Sequence, residues 1–341
     1  MDRALDAARE GSGRLLVIEG SPGVGKSRLL EVLRDRGQAA GFACLGARAG
    51  ELEREFPFGV VRQLFEFRLA TASAEERAAL LGGAARLAGP VLGLEAGGNS
   101  RRLGLTMGDA PYATLHGLYW LCTNLAAEGP VLLLVDDAHW ADAPSLRWIG
   151  FLVARFEELP IAVGLASRPA EPGAESELLG MIASSLAARL IRPAPLSEPA
   201  VAELVHTELS AMASEAFVRA CHDVTAGNPF FVRELLRDLT FAAVRPTSDG
   251  ALRLRELGPR SISRTVLHRL GRLPEEAGAL GRAVAILGTH AEMRHAAALS
   301  GLEPEAAADA ARRGRLAGRH RDPARRPAAP LRPPDRPSRD L

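Results

Sequence analysis

One eight-residue stretch constrains the fold of this chain more than any other. Residues 20–27 read GSPGVGKS, preceded by the apolar run RLLVIE (14–19) and followed by RLLEVLRDRG (28–37). The short apolar run predicts a buried parallel strand, and the spacing of the leucines after the loop predicts a helix. A glycine-rich loop between such a strand and helix matches the pattern G-x-x-x-x-G-K-[ST].

This loop has the chemistry of a phosphate site. Glycines allow positive φ and close approach to a phosphate chain, while the loop amides and the helix N-terminus attract anions. We expect Lys26 to reach the β- and γ-phosphates and Ser27 to bind Mg²⁺. The alternative is a glycine turn that only caps a helix. The predicted nucleotide-binding residues are Gly20, Ser21, Pro22, Gly23, Val24, Gly25, Lys26, Ser27 and Arg28.

A second set of candidates follows the run VLLLV (131–135). Asp136 comes directly after it and is predicted to hold Mg²⁺ through water, while Asp137 would orient or activate the attacking water. We expect this strand to lie beside the strand of residues 14–19, which precedes the glycine-rich phosphate loop (P-loop). Taken alone, two acids after a strand could also be a surface turn.

Arg168 ends the next apolar run, IAVGLAS (161–167). A cation at that edge could contact the γ-phosphate and report its presence, or it could be a solvated strand end. His139 and Trp140 follow the two aspartates, and His139 either contacts the phosphate end of the site or packs against neighbouring side chains. The sequence has no N-K-x-D motif for guanine, so adenine is the preferred base.

Composition excludes several classes of protein. No apolar run reaches the roughly 18–20 residues of a membrane helix, and the first residues do not read as a secretory signal. Three widely spaced cysteines, Cys44, Cys122 and Cys221, favour small buried hydrophobes in a reducing cytoplasm over disulfides or a zinc site. No membrane partner is expected.

Several motifs in this order resemble a known family. They are GSPGVGKSRLL, ELEREFPFGVVRQLF, VLLLVDDAHWADAPSLRWI, LASRP, PLSEPAVAELV and AGNPFFVRELL. Together they resemble the ATPase module of the large ATP-binding LuxR-type regulators. Those regulators belong to the STAND signalling ATPases within the AAA-like, Orc1-like superfamily.

Strands alternate with helices up to Arg168, which predicts an α/β fold with a parallel sheet and helices on both faces. The long segment between the glycine loop and Asp136 leaves room for an extra strand, as in additional-strand P-loop NTPases. The resemblance implies the same architecture, followed by a helical lid. It implies a P-loop ATPase core over 1–195, a lid over 196–245, and a partial helical or winged-helix domain over 246–311. Gly227-Asn228-Pro229 is similar to the lid signature, whose proline lies near the nucleotide base. From the residues alone, Pro229 simply restarts a helix.

Residues 312–341 differ from the rest of the chain. They hold ten arginines, three aspartates and six prolines, and they lack a helical period, which predicts a disordered tail. One interpretation is an out-of-frame end that replaces the helical repeats and DNA-binding domain of longer relatives. The other is a genuine basic tail that contacts nucleic acid or acidic lipid.

The function implied by the resemblance is a nucleotide switch in transcriptional regulation. ADP would lock a closed form, exchange for ATP would open it, and slow hydrolysis would reset it. An unknown inducer or protein partner, and nucleotide-dependent self-association, go with this interpretation. The alternatives are an Orc1-like ATPase that binds DNA directly, a P-loop kinase, and an ATP-binding remnant without output.

Lys26 is the only lysine among 341 residues, and the other 41 basic side chains of the Lys and Arg total are arginine. A compact ammonium fits between phosphate oxygens where the broad guanidinium fork does not. We therefore expect Lys26→Arg to damage ATP binding or hydrolysis severely. Titration with ATP and a phosphate-release assay would measure the loss, and normal binding and turnover would contradict the explanation.

Overall fold

The computed structural model describes residues 1–94, 110–169, 174–209, 212–257, 275–287 and 293–317. The chain divides into two compact units, Met1–Arg269 and Leu270–Leu341.

The first unit is built on a five-stranded parallel sheet with the strand order β2-β3-β4-β1-β5. The strands are β1 Arg14–Glu19, β2 Ala43–Arg48, β3 Val131–Asp136, β4 Ile161–Ser167 and β5 Ala188–Ile191. The predicted α/β P-loop NTPase architecture is confirmed.

One detail of the predicted sheet was wrong. The β3 strand, which carries Asp136, does not lie beside the P-loop strand β1, because β4 pairs with both and separates them. The short edge strand β5 was not anticipated, since its ARLI sequence is too short and too polar to stand out.

Helices cover the sheet and continue beyond it. In the first unit they are α1 Asp2–Arg9, α2 Lys26–Ala39, α3 Gly59–Thr71, α4 Ala74–Leu80, α5 Ala110–Glu128, α6 Ala143–Val153, α7 Ala174–Ala183, α8 Glu198–Leu209, α9 Glu215–Thr225, α10 Pro229–Phe241 and α11 Ser248–Leu257.

The interiors of the central strands β1, β3 and β4 are continuously apolar because both of their faces are buried. Along β3, Leu132 and Leu134 pack with α1 and α2, whereas Leu133 and Val135 pack with α3, α5 and α6. Successive side chains of a strand point to opposite faces, so each central strand must be apolar at every interior position. The packing leaves only the strand ends for polar chemistry.

The helices after β5 form a separate small core. Phe217, Cys221, Val232 and Leu236 of α9 and α10 are buried there with residues of α8. Leu254 of α11 belongs to the same core, which therefore extends past the predicted lid boundary at 245.

The second unit contains α12 Glu275–Leu287, α13 Met293–Ser300 and α14 Pro304–Ala317, which pack through small side chains, mostly alanines. The α14 helix continues to Ala317, past the predicted start of disorder at 312. The rest of the predicted tail, 318–341, lies outside the described residues.

Cys122 and Cys221 are buried and Cys44 is half-buried, and all three are free thiols. Burial raises the pKa of Cys221 to about 12, so it is an uncharged thiol at neutral pH. Among the helices that the structure describes, none is long and apolar enough to cross a membrane.

Asp142, the last residue of the DDAHWAD run, has a structural role. Its side chain is 3% exposed, and its Oδ1 accepts hydrogen bonds from the backbone N–H groups of Phe58 at 2.7 Å and Ser145 at 2.9 Å. Its Oδ2 accepts from Val60 N–H at 3.4 Å. One carboxylate thus caps α6 and holds the start of α3.

We expect Asp142→Ala to lower the free energy of unfolding by about 2–4 kcal/mol, because it removes a helix cap and leaves buried amides unpaired. Urea denaturation measures this change. Ser73→Ala is the matched control, since Ser73 caps the exposed start of α4 and its loss should cost about 1 kcal/mol or less. Equal losses for the two variants would contradict the role of Asp142.

Candidate functional site

The loop between β1 and α2 makes a tight glycine turn, the backbone shape predicted for phosphate binding. Gly23 and Gly25 have φ of +82° and +96°, in the left-handed region that favours glycine. A Cβ on Gly25 would meet no atom within 4 Å, so the space beside that residue is open. The sequence prediction of a tight glycine turn at the helix start agrees with this geometry.

Lys26 is the first residue of α2, and its side chain is only 7% exposed. Its Nζ donates hydrogen bonds to the carbonyls of Gly20 at 2.9 Å and Ser21 at 3.1 Å. The ammonium group therefore folds over its own loop. An ammonium has three donors on a compact head, which suits such a position.

The two acids at the end of β3 have different surroundings. The Oδ1 of Asp136 accepts from Asp137 N–H at 2.9 Å. Asp137 has a φ of +50°, and its Oδ2 accepts from Arg48 Nη2 at 3.3 Å and from Nε at 3.4 Å. The left-handed backbone at Asp137 turns the chain out of the strand and separates the two carboxylates.

Arg48 was not among the predicted site residues. It is the last residue of β2, directly in register with Asp136 on β3. The motif ARAG after a short strand carries no strong signal in a chain rich in arginine. Only the pairing of β2 with β3 could have placed this guanidinium next to Asp137.

Arg168 follows β4 and lies close to the start of the loop. Ser167 is in register with Glu19 on β1, and Gly20 N–H donates to the Ser167 carbonyl at 3.2 Å. The Arg168 guanidinium carbon is 5.9 Å from the centre of the Trp140 ring. The fold therefore brings Arg168 to the carboxyl ends of the strands, the same edge of the sheet at which the loop and the two acids lie.

Among the ionisable groups at this edge of the sheet, His139 has the pKa that is shifted most. Burial, followed by the positive charges of Arg168 and Lys26, lowers the pKa of His139 to about 3. Within the described residues, neither buried ring nitrogen has a hydrogen-bond partner. The imidazole is therefore neutral at physiological pH and packs 5.0 Å from the Trp140 ring.

Ser27 and Arg28 are exposed in the first turn of α2, and Arg28 pairs with Glu31 at 2.9 Å. The part of the chain that the structure describes has no group of three or more His, Cys, Asp or Glu suited to a metal. A Mg²⁺ site with one hydroxyl, one carboxylate and phosphate oxygens needs no such group. The Ser27 and Asp136 oxygens fit that chemistry.

The helical segment after β5, which the sequence predicts to be a lid, contacts the loop directly. Asn228 precedes α10, and its Nδ2 donates to the Pro22 carbonyl at 3.2 Å. Phe230 N–H donates to the Gly23 carbonyl at 3.2 Å. Pro229, at the first position of α10, lies in the chain between these two contacts, and it restarts the helix as its sequence suggests. The contact of Asn228 with the loop was missed, because 206 residues separate the partners.

The depressed pKa of His139 predicts a pH-dependent stability. The unfolded chain binds a proton on His139 below its usual pKa of about 6.5, whereas the folded protein does so only near 3. The free energy of unfolding should therefore fall as pH drops from 7 to 5.

The measurement is urea denaturation at pH 7 and pH 5 for the wild type and His139→Gln, and we expect a smaller fall in the variant. His206→Gln is the control, since His206 is exposed on α8 and should leave the pH dependence unchanged. An equal fall in the wild type and His139→Gln would contradict the prediction.

Comparison with known proteins gives one family. Residues 1–163 match the family described as "AAA ATPase domain", which is just under half of the chain. A search of the curated proteins gave no match.

Several solved structures are similar at low identity. The Orc1 protein of Aeropyrum pernix in complex with DNA is 16% identical over 90% of this chain and 79% of that chain, with a TM-score of 0.42. The Aeropyrum pernix ORC2 protein in ADPNP–ADP complexes is 14% identical over 84% and 73%, with a TM-score of 0.47.

A STAND protein with a tetratricopeptide repeat sensor from Pyrococcus horikoshii is 13% identical over 92% of this chain and 38% of that chain, with a TM-score of 0.39. At these identities the likeness concerns the fold alone. Residues 1–163 thus resemble the AAA ATPase domain family, and the parallel sheet with a glycine loop and lysine between β1 and α2 is the α/β architecture of a P-loop NTPase.

Proposed function

We propose that this protein binds ATP and ADP with Mg²⁺ at the loop of residues 20–28, hydrolyses ATP slowly, and acts as a nucleotide switch in transcriptional regulation. One observation carries the switch most directly. The lid donates two hydrogen bonds to the carbonyls of Pro22 and Gly23 in the loop that would hold the phosphates. A change in the loop on binding therefore has a direct route to the lid.

The residues of the sheet edge fit distinct roles in this proposal. Lys26 would exchange its bonds to the Gly20 and Ser21 carbonyls for bonds to the β- and γ-phosphates. Ser27 and Asp136 would hold Mg²⁺, the first through its hydroxyl and the second through water. Bound Mg²⁺ would neutralise developing charge on the phosphates.

Asp137 and Arg168 would act on the terminal phosphate. Asp137 would accept a hydrogen bond from the attacking water, and Arg168 would contact the γ-phosphate from the end of β4. In the present structure one Asp137 oxygen is bound by Arg48. A carboxylate engaged in this way is less available to the water, which supports slow turnover.

Transcriptional regulation rests on the motif resemblance described above. Pro229 is proposed to lie near the base, as the lid signature implies. An inducer or protein partner would act on the exchange of ADP for ATP, and the ATP form would self-associate or engage that partner.

Nucleotide content and turnover of the purified protein test the core of the proposal. We expect co-purified ADP, released on denaturation, and ATP hydrolysis on the order of 10⁻⁴ to 10⁻² s⁻¹, the range of unassisted switch NTPases. Lys26→Ala should bind both nucleotides about 10- to 100-fold more weakly, because it loses a charge-assisted hydrogen bond.

Arg36→Ala is the matched control, because Arg36 is an exposed cation near the far end of α2 that pairs with Asp2. It should bind nucleotide like the wild type. Unchanged nucleotide retention in Lys26→Ala would overturn the site. Rapid phosphate transfer to a small acceptor would overturn the switch in favour of a kinase.

A further inference from the structure

We propose that Asn228 is a positioning residue for the phosphate loop: its side-chain amide holds the Pro22 carbonyl and keeps the loop amides oriented for phosphate before nucleotide arrives. This inference rests on the proposed function, since it names the lid residue that prepares the same site. The nucleotide would meet a loop already shaped by the lid.

The Asn228 side chain makes two kinds of contact at once. Its Oδ1 accepts from the N–H groups of Phe230 at 3.1 Å and Phe231 at 3.4 Å, which caps α10. Its Nδ2 donates to the Pro22 carbonyl at 3.2 Å. The residue is 8% exposed, so water competes little for these bonds. The cap holds the side chain in the orientation that reaches the loop.

The peptide geometry explains how this contact orients the loop. In a trans peptide the carbonyl and the following N–H point in opposite directions. The Pro22 and Gly23 carbonyls both accept from the lid, so the N–H groups of Gly23 and Val24 are turned away from it. The Val24 N–H lies 3.4 Å from the Ser21 carbonyl, on the inner side of the turn.

The contact between Asn228 and the loop is closely packed on both sides. A Cβ on Gly23 would lie 2.8 Å from both Asn228 Oδ1 and Phe230 Cβ. On the other side, Gly227 has a φ of +67°, and its carbonyl accepts from Leu196 N–H at 2.8 Å. A Cβ on Gly227 would overlap the Leu196 carbonyl. Asn228 is thus held between the start of the lid and the loop.

Capping alone is the competing explanation for Asn228, and substitutions separate the two. Ser and Asp cap a helix about as well as Asn. Asp, however, has no donor for the Pro22 carbonyl, and the Ser side chain is shorter. Asn228→Ser and Asn228→Asp therefore keep the cap and lose the hold on the loop. Asn228→Ala loses both.

The test measures ADP and ATP affinity by calorimetry, with thermal unfolding, for the wild type and the three Asn228 variants. Ser214→Ala is the matched control, because Ser214 caps the lid helix α9 through its bond to Phe217 N–H. We expect Asn228→Ser and Asn228→Asp to unfold near the wild-type temperature. They should bind both nucleotides about 3- to 10-fold more weakly, the size of one hydrogen bond.

Hydrogen exchange of the loop amides provides a second readout that needs no nucleotide. In Asn228→Ser the amides of residues 23–25 should exchange faster than in the wild type, while the interior of α10 stays protected. By linkage, ADP should slow exchange of the Phe230 amide in the wild type more than in the variant.

Two results would overturn the positioning role. One is wild-type affinity and loop exchange in Asn228→Ser and Asn228→Asp, which would leave only a cap. The other is an equal loss of affinity in Ser214→Ala, which would assign the effect to lid stability. If the wild type bound no adenine nucleotide, the proposed function would fail, while loop exchange in Asn228→Ser would still decide whether Asn228 orients the loop.

Discussion

The site depends on one constraint: all five strands of the sheet run parallel, and the three central strands β4, β1 and β3 are covered on both faces. Because the strand interiors must be apolar, polar residues can stand only at the strand ends. Parallel strands bring their carboxyl ends to one edge, where the loop after β1, the acids of β3 and Arg168 after β4 meet. Arg48 arrives at the same edge from β2.

At this end of the sheet, charged side chains are bonded to groups close by. Lys26 is buried but bonded to loop carbonyls, and Asp137 is bonded to Arg48. His139 stays neutral because burial, and then the positive charges of Arg168 and Lys26, lower its pKa. The edge therefore already contains the cations that a phosphate chain would meet. The lid extends this arrangement, since Asn228 and Phe230 hold the other side of the loop.

The sequence predicted the fold class, the strands β1, β3 and β4 and the glycine turn of the loop, because buried strands and glycine turns have strong local signals. It did not predict β5, which is short and half-polar, or the separation of β1 and β3 by β4, because strand order is not a local property. Asp142 shows that the sequence does not decide the role of a single residue. It lies in an acid-rich motif typical of a metal or catalytic site, yet its carboxylate is a buried helix cap.

The sequence by itself determined the glycine turn at the start of α2 and predicted phosphate binding there, since glycines, a lysine and a serine at fixed spacing specify a loop over only eight positions. Tertiary structure alone decided their neighbours. Arg48 reaches Asp137 across 89 residues, and Asn228 reaches Pro22 across 206 residues. The physical reason is that local conformation follows from nearby side chains, whereas these contacts follow from strand order and from the packing of the lid.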